Sequence, residues 1–175
     1  MQEVVGKGVC EFHIFDMGDY ESRVPKDLER AYYHRYGLAK QSQNTNYDVP
    51  PEGQKFYGIL DVVKMLGHEN LEAIDVFKID CEGCEWRTYQ DWFMPGIPHL
   101  MQIQVELHNA HKDVIKFFDT FEEAGYVRFH KEPNIQFNDG SCQEYAFLKL
   151  KTDFFRERQE RLKKIDQEKK EEEGK

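Results

Sequence analysis

The sequence predicts an α/β domain whose mostly parallel sheet closes with an antiparallel C-terminal hairpin. Short apolar segments alternate with segments of helical spacing, which is typical of a parallel sheet. One segment, residues 100–108, follows strict period two, and the last two predicted strands flank a turn containing Asp139 and Gly140. A chain of 175 residues has the length of a single domain with a real core.

The first half of the chain predicts one strand, one loop and one helix. EFHIFD, residues 11–16, is an apolar strand that stops at an acid. Residues 40–55 are polar and contain proline and glycine, which is typical of a long loop. A helix follows, because apolar residues recur at helical spacing before Gly67: Ile59, Val62, Val63 and Leu66.

The second half repeats the alternation more clearly. VFKID, residues 76–80, predicts a strand, and the aromatic residues between 84 and 93 predict a helix. LMQIQVELH, residues 100–108, predicts the next strand, and a phenylalanine-rich helical stripe from Val114 ends at Gly125. Two final strands near 126–131 and 143–150 predict the hairpin. Residues 153–175 predict a charged, solvated helical tail behind a domain of residues 1–152.

Charge and composition narrow the functional class. The tail has eight acidic and eight basic residues, so the formal charge of −9 lies on residues 1–152 and argues against a nucleic-acid surface. No apolar run approaches the roughly 20 residues that span a bilayer, and the start lacks a signal-peptide pattern. We therefore expect a soluble, cytoplasmic protein without membrane contact. Four cysteines are too few for a disulfide scaffold, which favours reduced thiols.

Acidic residues stand at the ends of three predicted strands: Asp16, Asp80 and Glu106, with Glu82 and His108 just beyond. Ligands bind at the carboxyl ends of parallel strands. An acid after an early strand suits the hydroxyls of a ribose, and the other four residues suit a general base, an acceptor-orienting group or a divalent ion. Structural roles compete with these: a turn cap for Asp16, a favourable helix-start charge for Glu82 and a structural histidine for His108.

The C-x-x-C of Cys81 and Cys84 lies between a strand and a helix, as in thioredoxin-like redox turns. The neighbouring Glu82 and Glu85 disfavour a thiolate. The other two cysteines are isolated, whereas zinc needs about four ligands. We expect packing residues here and assign no metal site, with a thiol redox protein as an alternative function.

Four segments resemble one known family. DVFKIDCEGCEW, QIQVELH, GYVRFHKEPN and CQEYAFLKL are similar to the FkbM-like, methyltransferase-domain group of S-adenosylmethionine enzymes, over about residues 10–150. The resemblance implies a Rossmann-like class I methyltransferase sheet, S-adenosyl-L-methionine as cofactor and O-methylation of a small or sugar-like substrate.

The resemblance also assigns site residues. Two upstream segments, HIFDMGDY and HRYGLA, resemble the ends of the family's second and third strands. The resemblance places Asp16 at the cofactor ribose, Met17 beside the adenine, and Gly37 and Leu38 in the backbone stretch next to the adenine. It places Asp80, Glu82, Glu106 and His108 at the reaction cleft and the substrate side. Glu132 and Asn134 match the E-P-N segment of the family, to which it gives no role.

One family element has no counterpart in the sequence. The glycine-rich loop that approaches the methionine part of the cofactor belongs well upstream of Asp16, and VVGKGV at residues 4–9 is typical of a turn. The sequence therefore predicts an N-terminally truncated domain with a gap beside its second and fourth strands, which a partner chain would complete. A truncated, non-catalytic module of methyltransferase fold is the alternative to an active enzyme.

Overall fold

The computed structural model describes residues 6–41, 53–109, 111–135 and 140–151. Eight strands and three α-helices follow one another in these ranges: β1 Phe12–Phe15, β2 Ala31–His34, β3 Gly37–Ala39, β4 Phe56–Gly58, α1 Ile59–Met65, β5 Ala73–Ile79, α2 Glu85–Thr88, β6 His99–His108, α3 Val114–Glu123, β7 Tyr126–Pro133 and β8 Cys142–Lys149. Short 3₁₀ helices cover Glu21–Arg23 and Tyr89–Phe93. No helix in the described part of the chain has the length and hydrophobicity to cross a membrane.

The largest sheet has four strands in the order β5-β6-β8-β7. β5 and β6 are parallel, whereas β8 is antiparallel to both β6 and β7. The predicted α/β class and the C-terminal hairpin are therefore confirmed. The predicted turn residue Asp139 lies outside the described residues, as does the tail from residue 153.

The described strands form three sheets and not one. β1 pairs with β2 and β3 pairs with β4, both in parallel, and neither pair is hydrogen-bonded to the four-stranded sheet. The expectation of a single, mostly parallel sheet is not met within the described ranges. The strand pattern also missed β2, β3 and β4, because strands of three or four residues are too short to establish a period. Most of the predicted loop, residues 42–52, lies outside the described part.

The core lies between α3 and one face of the four-stranded sheet. Phe117 and Phe121 of α3 are fully buried and pack against the ring of Phe147 on β8. Ile103 and Val105 supply the buried face of β6, as its period-two pattern predicts. Adjacent aromatic rings at such distances add to the apolar burial.

On the opposite face of β6, the side chains become more buried toward the carboxyl end of the strand. Gln102 and Gln104 are partly exposed, but Glu106 and His108, two and four positions further, are buried. A charged side chain is buried only where partners compensate its lost hydration. The carboxyl end of β6 therefore carries two buried ionisable side chains and is a candidate position for a polar functional site.

Candidate active site

The carboxyl ends of β5 and β6 bring the four predicted reaction-cleft residues together. The parallel register pairs Ile79 with Val105, so the residues that follow, Asp80 and Glu106, are neighbours. Nε2 of His108 lies 3.6 Å from Oδ1 of Asp80 and 3.4 Å from Oε2 of Glu82. One imidazole thus faces two carboxylates at the edge where ligands of parallel sheets bind.

The turn after β5 places these side chains by means of two left-handed residues. Glu82 has φ 55° and Gly83 has φ 101°. Glycine adopts such values without strain, whereas a glutamate there costs on the order of 1 kcal/mol or more. Non-glycine residues held in this region concentrate at functional sites. Since the side chain of Glu82 is 85% exposed, it belongs to the solvent-facing rim of the site.

Glu85 is the site residue that the sequence interpretation missed. Its side chain is completely buried. Oε1 accepts hydrogen bonds from the backbone N–H of His108, at 2.9 Å, and from Nδ1 of the same residue, at 3.0 Å. Oε2 accepts the N–H of Gly83 at 3.0 Å. The available signal was the second glutamate of EGCEW, which sequence reasoning treated only as a charge near the cysteines.

His108 is held from both its backbone and its ring. The indole Nε1 of Trp86 donates to its carbonyl oxygen at 2.7 Å. Burial alone would lower the pKa of His108, but its hydrogen bond to Glu85 and the charges of Glu85, Glu82 and Asp80 outweigh burial and raise the pKa. Because Glu85 holds Nδ1, Nε2 is the nitrogen that faces Asp80 and Glu82 at the strand ends.

The pKa values of the two carboxyl groups at the strand ends, Asp80 and Glu106, are shifted in opposite directions. Burial, with the negative charge of Glu106 next, raises the pKa of Asp80. Burial acts in the same sense on Glu106, but a hydrogen bond from Asn134 Nδ2 at 2.8 Å and the charge of His108 outweigh it and lower the pKa. Such divergence is typical of acid–base sites. Asn134, which had no assigned role, therefore supports Glu106.

We expect Glu85→Gln to lower the free energy of unfolding by about 1.5–3 kcal/mol, because it replaces charge-assisted hydrogen bonds to His108 and Gly83 by mismatched ones. Urea denaturation measures this loss. Since the folded pKa of His108 is raised, its stabilisation is complete below about pH 6.5 and disappears as pH rises through the folded pKa. The variant should lose this pH dependence. Glu132→Gln, on the exposed part of β7, is the control, and equal losses in both variants would contradict the assignment.

The predicted cofactor residues lie in the turn after β1 and on β3. Oδ1 of Asp16 accepts a hydrogen bond from the N–H of Gly18 at 2.7 Å. Asp16 therefore caps the turn, which is the structural role that the sequence analysis gave as its alternative. A Cβ built on Gly37 would lie 3.2 Å from Sδ of Met17 and 2.7 Å from the ring of Phe56. Met17 and Gly37 are thus in close contact, whereas Leu38 packs against the hydrophobic core.

Cys81 and Cys84 differ from expectation, since the structure joins them in a disulfide. The sequence predicted free packing thiols. The left-handed Glu82 and Gly83 close the turn, so that the two Cα atoms are 5.3 Å apart, a usual distance for a disulfide. Sγ of Cys81 also lies 3.2 Å from Oε2 of Glu85. The disulfide thus adjoins the buried carboxylate that orients His108.

Comparison with known proteins places the chain in a family. A family model described as a methyltransferase domain matches residues 1–149. No curated protein and no solved structure matches the chain. The matched segment contains every strand and helix described above and all four residues of the cleft.

Proposed function

The chain belongs to the methyltransferase-domain family, and from that premise we propose that it transfers a methyl group from S-adenosylmethionine to an oxygen of a small or sugar-like acceptor. The observation that carries this proposal is the buried His108, whose Nε2 faces the carboxylates of Asp80 and Glu82 while Glu85 holds Nδ1. A histidine oriented in this way is suited to remove a hydroxyl proton.

The cofactor supplies an electrophilic methyl group on a cationic sulfonium. Its ribose hydroxyls suit the carboxylate of Asp16, and its adenine suits the stretch formed by Met17, Gly37 and Leu38. The free oxygen of Asp16 supports this fit, because its side chain is exposed and the turn engages only Oδ1. The negative charge of Asp80 and Glu106 favours a cation near the ends of β5 and β6.

The acceptor is bound by groups that accept hydrogen bonds. Within the described residues, the cleft presents the carboxylates of Asp80, Glu82 and Glu106 and the imidazole of His108. These groups repel phosphates and carboxylates but match the hydroxyls of a neutral polyol. We therefore favour a sugar-like acceptor over an anionic one.

His108 takes the proton in this mechanism. The bound cofactor would supply the methyl electrophile and the sulfur leaving group, and Nε2 of His108 would take the proton of the acceptor hydroxyl as that oxygen is methylated. The resulting imidazolium is stabilised by Glu85, Asp80 and Glu82, the groups that already raise its pKa. Most of the rate enhancement of such a transfer comes from positioning the acceptor in line.

A non-catalytic module is the second candidate. It is favoured by one observation: in the described ranges, β1 and β5 belong to separate sheets, so the cofactor residues and the reaction cleft share no continuous sheet. A module of this kind would keep the buried network of Glu85 and His108 for stability alone.

A thiol redox protein remains the third candidate, although buried Cys84 and the carboxylate of Glu85 disfavour an exposed thiolate.

Titration calorimetry with S-adenosylmethionine separates the first two candidates. We expect binding by the wild-type chain, and a rise of about tenfold in Kd for Asp16→Asn, because one charge-assisted hydrogen bond to the ribose is lost. Asp19→Asn, an exposed neighbour in the same turn, is the matched control. No heat at millimolar cofactor would favour the non-catalytic module. Equal affinity of wild type and Asp16→Asn would remove Asp16 from the cofactor site.

A further inference from the structure

Three histidines and a glutamate form a cluster on β1 and β2 and the turn after α1, outside the candidate active site. Nε2 of His13 lies 2.9 Å from Oε1 of Glu11, and Nε2 of His68 lies 3.8 Å from the same oxygen. One ligand atom from each of Glu11, His13 and His68 lies within 4.8 Å of the other two. We propose that Glu11, His13 and His68 bind one divalent transition-metal ion of the zinc type.

Two of the three proposed ligands, His13 and Glu11, have outer hydrogen-bond partners. Nδ1 of His13 is 2.9 Å from Nε2 of His34, and Oε2 of Glu11 accepts a hydrogen bond from Nη2 of Arg30 at 2.7 Å. The ring of His68 packs edge-on against that of His13, with centroids 5.0 Å apart. Outer hydrogen-bond partners of this kind orient metal ligands, and His34 can hold the imidazole of His13 in the tautomer that a metal requires. With metal bound, His13 carries its proton on Nδ1 and donates it to His34.

The donor set fits zinc. Two imidazoles and one carboxylate are the three protein ligands of a common open zinc site, whose fourth position takes water. Tetrahedral bonds of about 2.0–2.1 Å separate neighbouring donor atoms by roughly 3.3 Å. The observed separations from Glu11 Oε1, 2.9 Å to His13 and 3.8 Å to His68, lie on either side of this value. The two separations from the glutamate oxygen are therefore each within about 0.5 Å of the tetrahedral value.

An ion can reach the cluster from solvent. The side chains of His68 and Glu11 are 18% and 36% exposed, and that of His13 is 14% exposed. The overall formal charge of −9 favours the approach of a cation. His13 lies inside β1, whereas His68 follows α1 and donates its backbone N–H to Val63. A bound ion would therefore connect the β1–β2 sheet to the end of α1.

Calorimetric titration with Zn²⁺ tests this site, with the visible spectrum of the Co²⁺-loaded protein reporting tetrahedral coordination. We expect one ion per chain and a higher Tm in zinc, because an ion that binds only the folded state stabilises it. Glu11→Gln and His68→Asn should each weaken binding at least about tenfold, and His34→Phe, which keeps the ring contact, by about tenfold as the loss of an outer partner. His108→Asn, in the active site, should bind like wild type.

The outcomes distinguish this site from its alternatives. Unchanged zinc affinity in Glu11→Gln and His68→Asn would overturn the proposal, as would a loss of affinity in His108→Asn. No binding at micromolar zinc would also overturn it and leave Glu11, His13 and His34 as a hydrogen-bonded relay. If His68→Asn unfolds, the isosteric and half-exposed Glu11→Gln decides alone. Because metal binding is measured without methyl transfer, failure of the proposed function does not affect the result.

Discussion

Replacing His108 by asparagine is expected to lower kcat for methyl transfer by about 10²–10⁴-fold, the usual contribution of a positioned general base. Asparagine preserves a polar side chain of similar size but has no basic nitrogen for the acceptor proton. The affinity for S-adenosylmethionine should change little, because the predicted cofactor residues lie on β3 and in the turn between β1 and β2. Single-turnover kinetics with a labelled methyl group measures the chemical step directly.

The pH profile separates catalysis from structure. A raised pKa keeps His108 protonated, and unable to accept a proton, to a higher pH than an ordinary histidine. Wild-type kcat/KM should therefore rise with pH through a midpoint above about 6.5, and His108→Asn should lose this limb. His130→Asn, in an exposed pair with Glu132, is the control. A His108→Asn profile with the wild-type limb and rate would exclude His108 as the base.

Replacing Phe117 by alanine is expected to lower the free energy of unfolding by about 3–5 kcal/mol. The ring is 0% exposed and contacts the rings of Phe121, Tyr89 and Trp86, so its removal leaves a cavity in the centre of the core. Trp86 also donates the hydrogen bond that holds the carbonyl of His108. The loss should therefore loosen the active site as well as the core.

Chemical denaturation of Phe117→Ala and Ile115→Ala compares two positions of one helix. Ile115 is 73% exposed, so its truncation should change the free energy of unfolding by less than about 0.5 kcal/mol. Similar effects at both positions would contradict the orientation of α3 against the sheet. Hydrogen exchange at the N–H of His108, which Glu85 accepts, reports whether the core mutation reaches the site.

Much of the fold followed from local pattern. Period two placed β6 to within a residue, and the phenylalanine stripe placed α3 from Val114. These predictions succeeded because a long, regular alternation of apolar and polar residues leaves few other ways of burying the apolar face. β3 and β4 were not predicted, because a strand of three residues is too short to show a period and, among the described strands, each of the two pairs only with the other.

The candidate site was predictable only in part. Acids at the ends of β5 and β6 must meet at one edge of a parallel pair, so Asp80 and Glu106 could be identified from strand positions alone. Glu85 could not, since a glutamate at the start of a helix is usually solvated there. Its burial depends on His108, 23 residues later, which no local window contains. The histidine cluster of β1 and β2 was not predicted for the same reason, because its residues are far apart in the sequence.

The sequence by itself determined the α/β class, the hairpin and the strand ends that carry acids, because these depend on periodicity and on neighbours in the chain. Only the tertiary structure decided which face of β6 is buried at its carboxyl end, which nitrogen of His108 faces Asp80 and Glu82, and that Cys81 and Cys84 form a disulfide. It also decided that the described strands fall into three sheets. Each of these features depends on how deeply groups are buried or how far apart the fold places them. Composition and spacing along the chain do not give these quantities.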